Sequence, residues 1–187
     1  MIIPDHEIKK LIKEGKLIVE PIENPENQIQ SAWIELRLGS EFRVFRYTTE
    51  PFIDSKNPKE YTTLYKTDGE PFVLHPKEFV LGITHEKIKI PSDHAAYVDG
   101  RSSLGRLGVT AHITSGWVDP GFDGRLVLEI SNLGKMPVTI YPGMKICKLV
   151  IFRLTSPAEL PYNKRKNAKY YQQNRVTESK IFEETDF

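Results

Sequence analysis

Residues 99–132 read DGRSSLGRLGVTAHITSGWVDPGFDGRLVLEISN and hold more groups able to bind phosphate or move protons than any other stretch of the chain. The last part of this stretch alternates between apolar and polar side chains, which predicts a β-strand. Leu126, Leu128 and Ile130 would face one side of the strand and Glu129 the other. A carboxylate in the middle of an apolar strand faces either solvent or a pocket, and the pattern alone leaves both interpretations open.

The loop ahead of this strand, residues 100–106, places hydroxyls, guanidinium groups and glycines next to one another. Arginine suits phosphate because its planar donors match two phosphate oxygens at once, and glycine lets the backbone approach a ligand closely. The P-loop pattern is not met, since Gly105 is followed by Arg106 and Leu107. The heptad therefore fits either a phosphate-binding loop of a different geometry or a plain polar turn.

Outside this stretch, short strand patterns separated by turn signals fill most of the chain. We expect strands at residues 17–19, 32–38, 41–47, 72–74, 79–83, 87–90, 95–98, 138–141 and 145–152. A short helix is expected over residues 4–14, with Asp5 as its N-cap and Gly15 closing it. Many short strands with little helix indicate an all-β barrel or sandwich.

Two further segments are predominantly polar. Residues 48–70 read as a long loop held by the apolar pairs 52–53 and 64–65. Residues 162–187 place lysines and arginines among tyrosines, with little apolar content. Such a terminus is either a solvated tail or a mobile lid that orders when its cations meet a polyphosphate.

The composition limits the class of protein. With 39% hydrophobic and 27% charged residues and a formal net charge of +1, residues 1–187 are expected to form a single globular domain. The near-neutral charge argues against a nucleic-acid partner, and the apolar runs are far shorter than the ~20 residues of a membrane span. Because no signal-peptide pattern follows Met1, the cytoplasm is the expected compartment. The single cysteine, Cys147, excludes an internal disulfide and a multi-cysteine metal site.

Several short motifs follow one another along the chain. They are LRLG at 36–39, GRSSLGRLG at 100–108, HIT at 112–114, VDPGF at 118–122, LE at 128–129, YPGM at 141–144, PY at 161–162 and AKY at 168–170. In this order they resemble the signature of the dCTP deaminases, which belong to the trimeric dUTPase-like superfamily. The resemblance implies an all-β, dUTPase-like distorted jelly-roll or β-barrel with a short N-terminal helix and a mobile C-terminal tail.

The activity that this resemblance implies is hydrolytic deamination of dCTP at cytosine C4, with release of ammonia. Zinc-dependent deaminases activate water on a metal held by a His/Cys/Cys set, which one cysteine cannot supply, so we expect no zinc. Glu129 would then take a proton from water and deliver protons towards N3 and the departing amine. Ser102 would hold the water or the developing oxyanion, and Arg106 would keep Glu129 ionised and oriented. Taken alone, Ser102 and Arg106 also fit turn capping and a surface ion pair.

The resemblance also assigns a substrate-binding set. It comprises the loop residues Arg101, Ser102, Ser103, Leu104, Gly105 and Arg106, then Asp119 for the deoxyribose 3′-hydroxyl, the strand residues Val127, Leu128 and Glu129 for the base, and Tyr162, Lys169 and Gln173 for the triphosphate. Mg²⁺ would arrive with the triphosphate and would have no site of its own on the protein. Family members are homotrimers with sites at subunit interfaces, and we expect the same here, with dCTP as the partner and neither nucleic acid nor membrane.

Gly116 and Trp117 bear on the product of the reaction. Family members that release dUMP carry glycine and an aromatic residue here, whereas strictly monofunctional members carry His-Arg. The pair thus predicts that dCTP is converted to dUMP and pyrophosphate, which would serve the synthesis of dTTP precursors. A glycine that relieves a turn and a tryptophan that fills a hydrophobic gap would give the same pattern.

Three residues depart from the family pattern. Glu35 replaces the usual aspartate, Ser115 the usual alanine, and Lys148 a glutamine of the dUMP-forming members. Three alternatives stay open: a monofunctional dCTP deaminase that releases dUTP, a dUTPase, and a non-catalytic β-barrel module that binds nucleotides. Against the dUTPase alternative, the chain lacks the glycine-rich C-terminal motif of those enzymes.

Overall fold

The computed structural model describes residues 1–184, in which β-strands predominate. The strands are β1 (Ile18–Glu20), β2 (Ile29–Gln30), β3 (Trp33–Phe45), β4 (Thr62–Lys66), β5 (Phe72–Leu74), β6 (Phe79–Lys89), β7 (His94–Gly100), β8 (Val109–Thr110), β9 (Trp117–Val118), β10 (Asp123–Asn132), β11 (Val138–Ile140) and β12 (Lys145–Arg153). The helices are α1 (Asp5–Lys13), α2 (Pro25–Gln28) and α3 (Ser102–Gly105), with 3₁₀ turns at Tyr162–Lys164 and Ile181–Glu183. No helix in residues 1–184 is both long and apolar enough to cross a lipid bilayer. The predicted all-β fold with a short N-terminal helix is confirmed.

Helix α1 packs on the core through its apolar stripe, in which Ile8 and Leu11 are buried. Gly15 follows the helix at φ +67°, the left-handed conformation that glycine adopts at little cost, as predicted. Pro4, not Asp5, holds the N-cap position, and no side chain caps the helix there. The predicted N-cap is therefore wrong by one residue, because Asp5 already has helical geometry.

Ten strands form one curled sheet. Its main path runs β8-β10-β6-β3-β12-β7-β9, with β1 added to β6 and both β2 and β4 added to β3. Strands β5 and β11 form a separate two-stranded sheet. Every pairing is antiparallel, so each strand can turn one face to the core and the other to solvent or a pocket.

Two long strands, β3 and β6, each run through a place where the sequence predicts two separate strands. The first half of β3 pairs with β12, and its second half pairs with β4 and β6 after a register shift between Leu38 and Phe42. Gly39 lies at this shift, against the Ile83 carbonyl, where an added Cβ would come within 2.9 Å of the oxygen. The chain therefore changes register at the glycine instead of ending the strand.

The segment 48–70 is held differently from the prediction. Its apolar pairs are exposed, with Phe52 at 73%, Ile53 at 52%, Leu64 at 40% and Tyr65 at 45% exposure. The expectation that they anchor the loop is wrong for the pair 52–53. Leu64 and Tyr65 lie in β4, and the Tyr65 ring packs edge-on against Phe72 with 5.6 Å between ring centres. The segment is attached through the backbone ladder of β4 on β3.

The C-terminal segment, residues 162–184, packs on its own chain. The N–H of Arg125 in β10 donates to the carbonyl of Gln173 at 2.8 Å, and Val176 is only 2% exposed. The segment thus lies along the strand that carries Glu129. Residues 185–187 of the predicted lid lie outside the described residues.

Candidate active site

A pocket of about 640 Å³ opens between β9, β10 and the C-terminal segment. Aromatic and aliphatic side chains of β3 and β6 contribute to its walls. The predicted site residues that line it are Gly116, Trp117, Asp119, Val127, Leu128, Glu129, Tyr162, Lys169 and Gln173. One cavity of a single chain therefore brings together the predicted carboxylate, sugar, base and tail contacts.

Glu129 lies on the pocket side of β10, in register with Leu81 of β6. Its Oε2 accepts hydrogen bonds from the backbone N–H groups of Ile113 at 3.2 Å and Thr114 at 2.9 Å. The Thr114 hydroxyl lies 3.0 Å from both carboxylate oxygens. These donors fix the orientation of the carboxylate at the wall of the pocket.

A bulge shapes the strand just before Glu129. The register of β10 on β6 shifts between Arg125 and Val127, and the N–H of Leu126 donates to the Thr84 hydroxyl at 3.0 Å. Bulges interrupt strand pairing and are common beside active sites. The bulge therefore lies next to the backbone that the family resemblance assigns to the base.

Asp119 is bound by the C-terminal segment. Nη1 of Arg165 donates to Oδ2 at 3.1 Å and Nη2 donates to Oδ1 at 3.3 Å, which makes a two-pronged pair. Nε of Arg165 also donates to the Leu160 carbonyl at 3.3 Å, and its guanidinium lies 5.7 Å from the centre of the Tyr162 ring. The side chain predicted to read the sugar is thus also a point of attachment for the tail.

The other predicted tail residues are tied together as well. The Tyr162 hydroxyl accepts a hydrogen bond from the N–H of Tyr170 at 2.9 Å, and burial raises the pKa of the Tyr162 phenol. Lys169 is paired with Glu184, and this hydrogen bond raises the pKa of the Lys169 ammonium. The amide of Gln173 donates to a β10 carbonyl at 2.9 Å. A neutral phenol, a cation and an amide therefore face one cavity.

Gly116 lies directly against β7. Its carbonyl accepts a hydrogen bond from the N–H of Val98 at 2.7 Å, and an added Cβ would come within 2.4 Å of the Val98 oxygen and 2.8 Å of the Tyr97 ring. This close approach requires glycine. Trp117 is 64% exposed and packs edge-on against Tyr97 with 5.3 Å between ring centres. Within one chain, Trp117 therefore fills no internal gap and presents an apolar face at the pocket.

The loop residues 101–106 lie elsewhere. Most of them form helix α3, in which Leu104 is buried while both serines and the following Arg106 are exposed. None of the six is among the residues that line the pocket of the same chain. The described partners of Glu129 are Ile113 and Thr114, so a single chain does not bring the loop to the carboxylate. The catalytic and binding roles of the loop stay predictions.

Two residues at the site, Thr114 and Arg165, have roles that the sequence does not predict. Thr114 belongs to the HIT motif, but the motif does not indicate that its hydroxyl and N–H form hydrogen bonds with the carboxylate of Glu129 on β10. Arg165 is one of three adjacent cations at 164–166, and the sequence does not tell which of them reaches Asp119.

In residues 1–184 no group of three or more His, Cys, Asp or Glu side chains is placed to hold a metal ion. Cys147 is fully buried, and burial raises the pKa of its thiol far above the usual range. The cations that line the pocket, Arg165 and Lys169, are paired within the chain with Asp119 and Glu184, and both are of the side-chain types that bind phosphate.

The fold and the pocket define a class, an all-β protein with a hydrogen-bonded carboxylate at the wall of a cavity that the C-terminal segment helps to line. Residues 2–154 match the family model described as dCTP deaminase-like, and the chain belongs to this family.

Individual relatives agree with this assignment. The dUMP-forming dCTP deaminase of Methanothermobacter thermautotrophicus is 47% identical over 184 residues, which cover 96% of this chain and 93% of the relative. The protein of the same name from Dictyoglomus turgidum is 48% identical over 184 residues, covering 97% of this chain and 95% of the relative. The crystal structure of 2′-deoxycytidine 5′-triphosphate deaminase from Agrobacterium tumefaciens matches 80% of this chain with a TM-score of 0.64 at 23% identity. Our chain spans 46% of that protein, and the likeness confirms the fold.

Proposed function

We propose that the protein deaminates dCTP at cytosine C4, releases ammonia, and goes on to hydrolyse the triphosphate to dUMP and pyrophosphate. Membership of the family and the names of the relatives support the substrate. The observation that carries the proposal is the Glu129 carboxylate, which donors from residues 113–114 hold at the wall of the pocket. The reaction would supply dUMP for the synthesis of dTTP precursors.

In this proposal Glu129 moves the protons. Its carboxylate accepts a proton from water while the water oxygen attacks C4, and it then passes that proton to N3. A second proton transfer, from the new hydroxyl to the amine, lets ammonia leave and the carbonyl form. Val127 and Leu128 line the same pocket, which supports the assignment of this strand to the edge of the base.

We propose that the active form is a homotrimer in which the loop of one copy completes the pocket of another. The exposed Ser102 and Arg106 would then reach Glu129 from outside its own chain, where Ser102 holds the water or oxyanion and Arg106 orients the carboxylate. An exposed apolar patch beside the loop supports an interface there, with Leu107 at 57% and Leu133 at 75% exposure.

The rest of the substrate follows the pocket. Asp119 reads the 3′-hydroxyl, and Tyr162, Lys169 and Gln173 bind the triphosphate together with the backbone and side chains of loop 101–106. Mg²⁺ would enter as part of the nucleotide substrate. In this proposal the proton chemistry falls to Glu129 without zinc, since one cysteine cannot supply the His/Cys/Cys set of the zinc-dependent deaminases.

The pair Gly116 and Trp117 supports the second hydrolysis. Glycine lets the chain approach β7 closely, and this packing sets the exposed Trp117 at the pocket. Lys148, which departs from the pattern of dUMP-forming members, lies 4.7 Å over the Trp33 ring and is not among the residues lining the pocket. The departure therefore lies outside the lining of the pocket of its own chain.

We further propose that residues 1–187 act as one domain, with 162–187 as its lid, in the cytoplasm. The hydrogen bonds between the described part of the tail and β10 support the proposal of a single domain. A buried, unpaired Cys147 suits a reducing compartment.

The decisive experiment is to incubate the protein with dCTP and Mg²⁺, to measure ammonia, and to separate the nucleotides by chromatography. We expect ammonia, dUMP and pyrophosphate with little free dUTP. Ammonia with accumulating dUTP would indicate a monofunctional deaminase. Hydrolysis of dUTP without attack on dCTP would indicate a dUTPase, and binding of dCTP without turnover would indicate a nucleotide-binding module.

A further inference from the structure

A buried carboxylate lies behind the loop that precedes α3. Glu35 of β3 has only 8% of its side chain exposed, and its Oε2 lies 2.9 Å from Nε of Arg101. Oε1 accepts a hydrogen bond from the Trp33 indole at 3.3 Å. Oε2 accepts no hydrogen bond of good geometry from the described residues, so its attraction to Arg101 is mainly that of two opposite charges.

A second contact holds the same guanidinium. Nη1 of Arg101 donates to the carbonyl of Lys145, in β12, at 3.1 Å. Strand β12 pairs with β3 on one side and with β7 on the other, and β7 ends at Gly100. Arg101 is thus fixed by a side chain of one strand and the backbone of the next. Neither contact uses Nη2.

Fixing Arg101 in this way has a consequence for the loop. A free arginine side chain loses much rotamer freedom when it binds an anion, whereas one that is already held loses little. Arg101 is also the residue that leads directly into Ser102 and helix α3. Holding its guanidinium therefore fixes both a phosphate donor and the start of the loop.

We propose that Glu35 is a positioning residue for Arg101, and that it acts on the triphosphate only through the Nη2 donors that Arg101 presents. The inference rests on the proposed function, because it takes the triphosphate as the ligand of the loop. Glu35 contacts Arg101 from behind and touches no substrate. Glutamate reaches one methylene further than the aspartate usual in the family, which suits a partner across a neighbouring strand.

A double-mutant cycle tests this role in the Glu129→Gln background, where dCTP is bound without being turned over. Calorimetry with Mg·dCTP compares Glu35→Gln, Arg101→Gln and the double variant. We expect Glu35→Gln to weaken binding by about tenfold, the order expected when one contact to a charged group is lost. The double variant should bind no more weakly than Arg101→Gln alone, because Glu35 acts only through Arg101.

Glu41→Gln is the matched control. Glu41 lies on the same strand, its side chain is 17% exposed, and it faces Lys66 at 3.5 Å and Arg175 at 3.9 Å. Its loss should leave nucleotide binding unchanged. Additive losses in the cycle, or an unchanged affinity in Glu35→Gln, would overturn the positioning role.

A measurement without nucleotide separates this inference from the proposed function. The Nε–H resonance of Arg101, assigned by its absence in Arg101→Gln, should shift in Glu35→Gln and stay in place in Glu41→Gln. If Glu35→Gln does not fold, Glu35→Asp keeps the charge and should move the same resonance less. An unmoved resonance contradicts the Glu35–Arg101 contact, whereas a missing ammonia signal in the wild type contradicts only the proposed reaction.

Discussion

The pocket wall and the α3 loop carry the two halves of the predicted chemistry, and the chain places them differently. Nine predicted residues on β9, β10, the neighbouring turns and the tail line one cavity. The six residues of loop 101–106 lie outside that cavity, with both serines and Arg106 exposed. Folding one copy therefore brings together the residues predicted to serve as carboxylate, sugar and tail contacts. The loop faces outward, and in our proposal it is completed at an interface between copies.

The difference has a simple physical origin. The wall is held by backbone ladders: β10 pairs with β6, and the tail in turn bonds to β10 through Arg125 and Gln173. Helix α3 has four residues and buries one side chain, Leu104. Its polar side chains have no core to enter, so they remain on the surface, available to another molecule.

Glu129→Gln tests the wall and should have the largest effect. The amide keeps the shape of the side chain but cannot accept a proton from water, so kcat for ammonia release should fall by about 10²–10⁴-fold. Binding of dCTP, measured by calorimetry, should be retained. Glu159→Gln, at an exposed glutamate outside the pocket, is the control and should behave as wild type. Full turnover in Glu129→Gln would contradict the role of Glu129 in proton transfer.

Mixing two inactive variants tests the loop. Arg106→Ala and Glu129→Gln should each be nearly inactive alone. After the two are refolded together, about a quarter of the sites in a closed oligomer would pair an intact loop with an intact carboxylate, so about a quarter of wild-type ammonia release should return.

The outcome of the mixing experiment distinguishes two arrangements. Recovery requires that the loop and the carboxylate come from different copies. A mixture that stays inactive would place the loop and Glu129 of one copy in the same site. That result would contradict the proposal that the loop serves the pocket of another copy.

The strand that carries Glu129 in the pocket wall was predictable from sequence, because the direction of its side chains follows from a local alternation. Strict alternation in 125–131 places Glu129 opposite its apolar neighbours, and the burial of Leu126, Leu128 and Ile130 agrees. The closing Gly15 and the all-β architecture were predictable for the same reason. Each depends on a periodicity or a conformational preference that a few adjacent residues carry.

The features of the fold and the site that the sequence does not predict depend on contacts between residues far apart in the chain. Thr114 and Arg165 reach their carboxylate partners only through the curl of the sheet and the path of the tail. The joining of two predicted strands into β3 depends on Gly39 meeting a carbonyl of β6. No local pattern carries such information, and the contact that we propose for the exposed loop lies outside a single chain.

Gly116→Ala tests how the wall is packed. The added Cβ would meet the Val98 carbonyl at 2.4 Å, and backbone cannot move away as a side chain can. We expect a loss of about 1–3 kcal/mol in the free energy of unfolding, as for an overpacked site, together with less dUMP relative to dUTP. Gly100→Ala, where an added Cβ meets nothing within 4 Å, is the matched control for thermal unfolding. An unchanged product ratio in a destabilised Gly116→Ala would limit the glycine to a packing role.

Arg165→Gln tests the attachment of the tail and should have the smallest effect. The Arg165 and Asp119 side chains are 37% and 42% exposed, and exposed pairs contribute at most about 1 kcal/mol. If the pair positions Asp119 for the sugar hydroxyl, KM for dCTP should rise by no more than about fivefold, with kcat unchanged. Lys166→Gln, which removes an exposed cation next in sequence, should leave KM near the wild-type value. A fall in KM would instead mean that Arg165 competes with the nucleotide for Asp119, so that the tail contact seen in one chain opposes binding and has to open before the sugar enters.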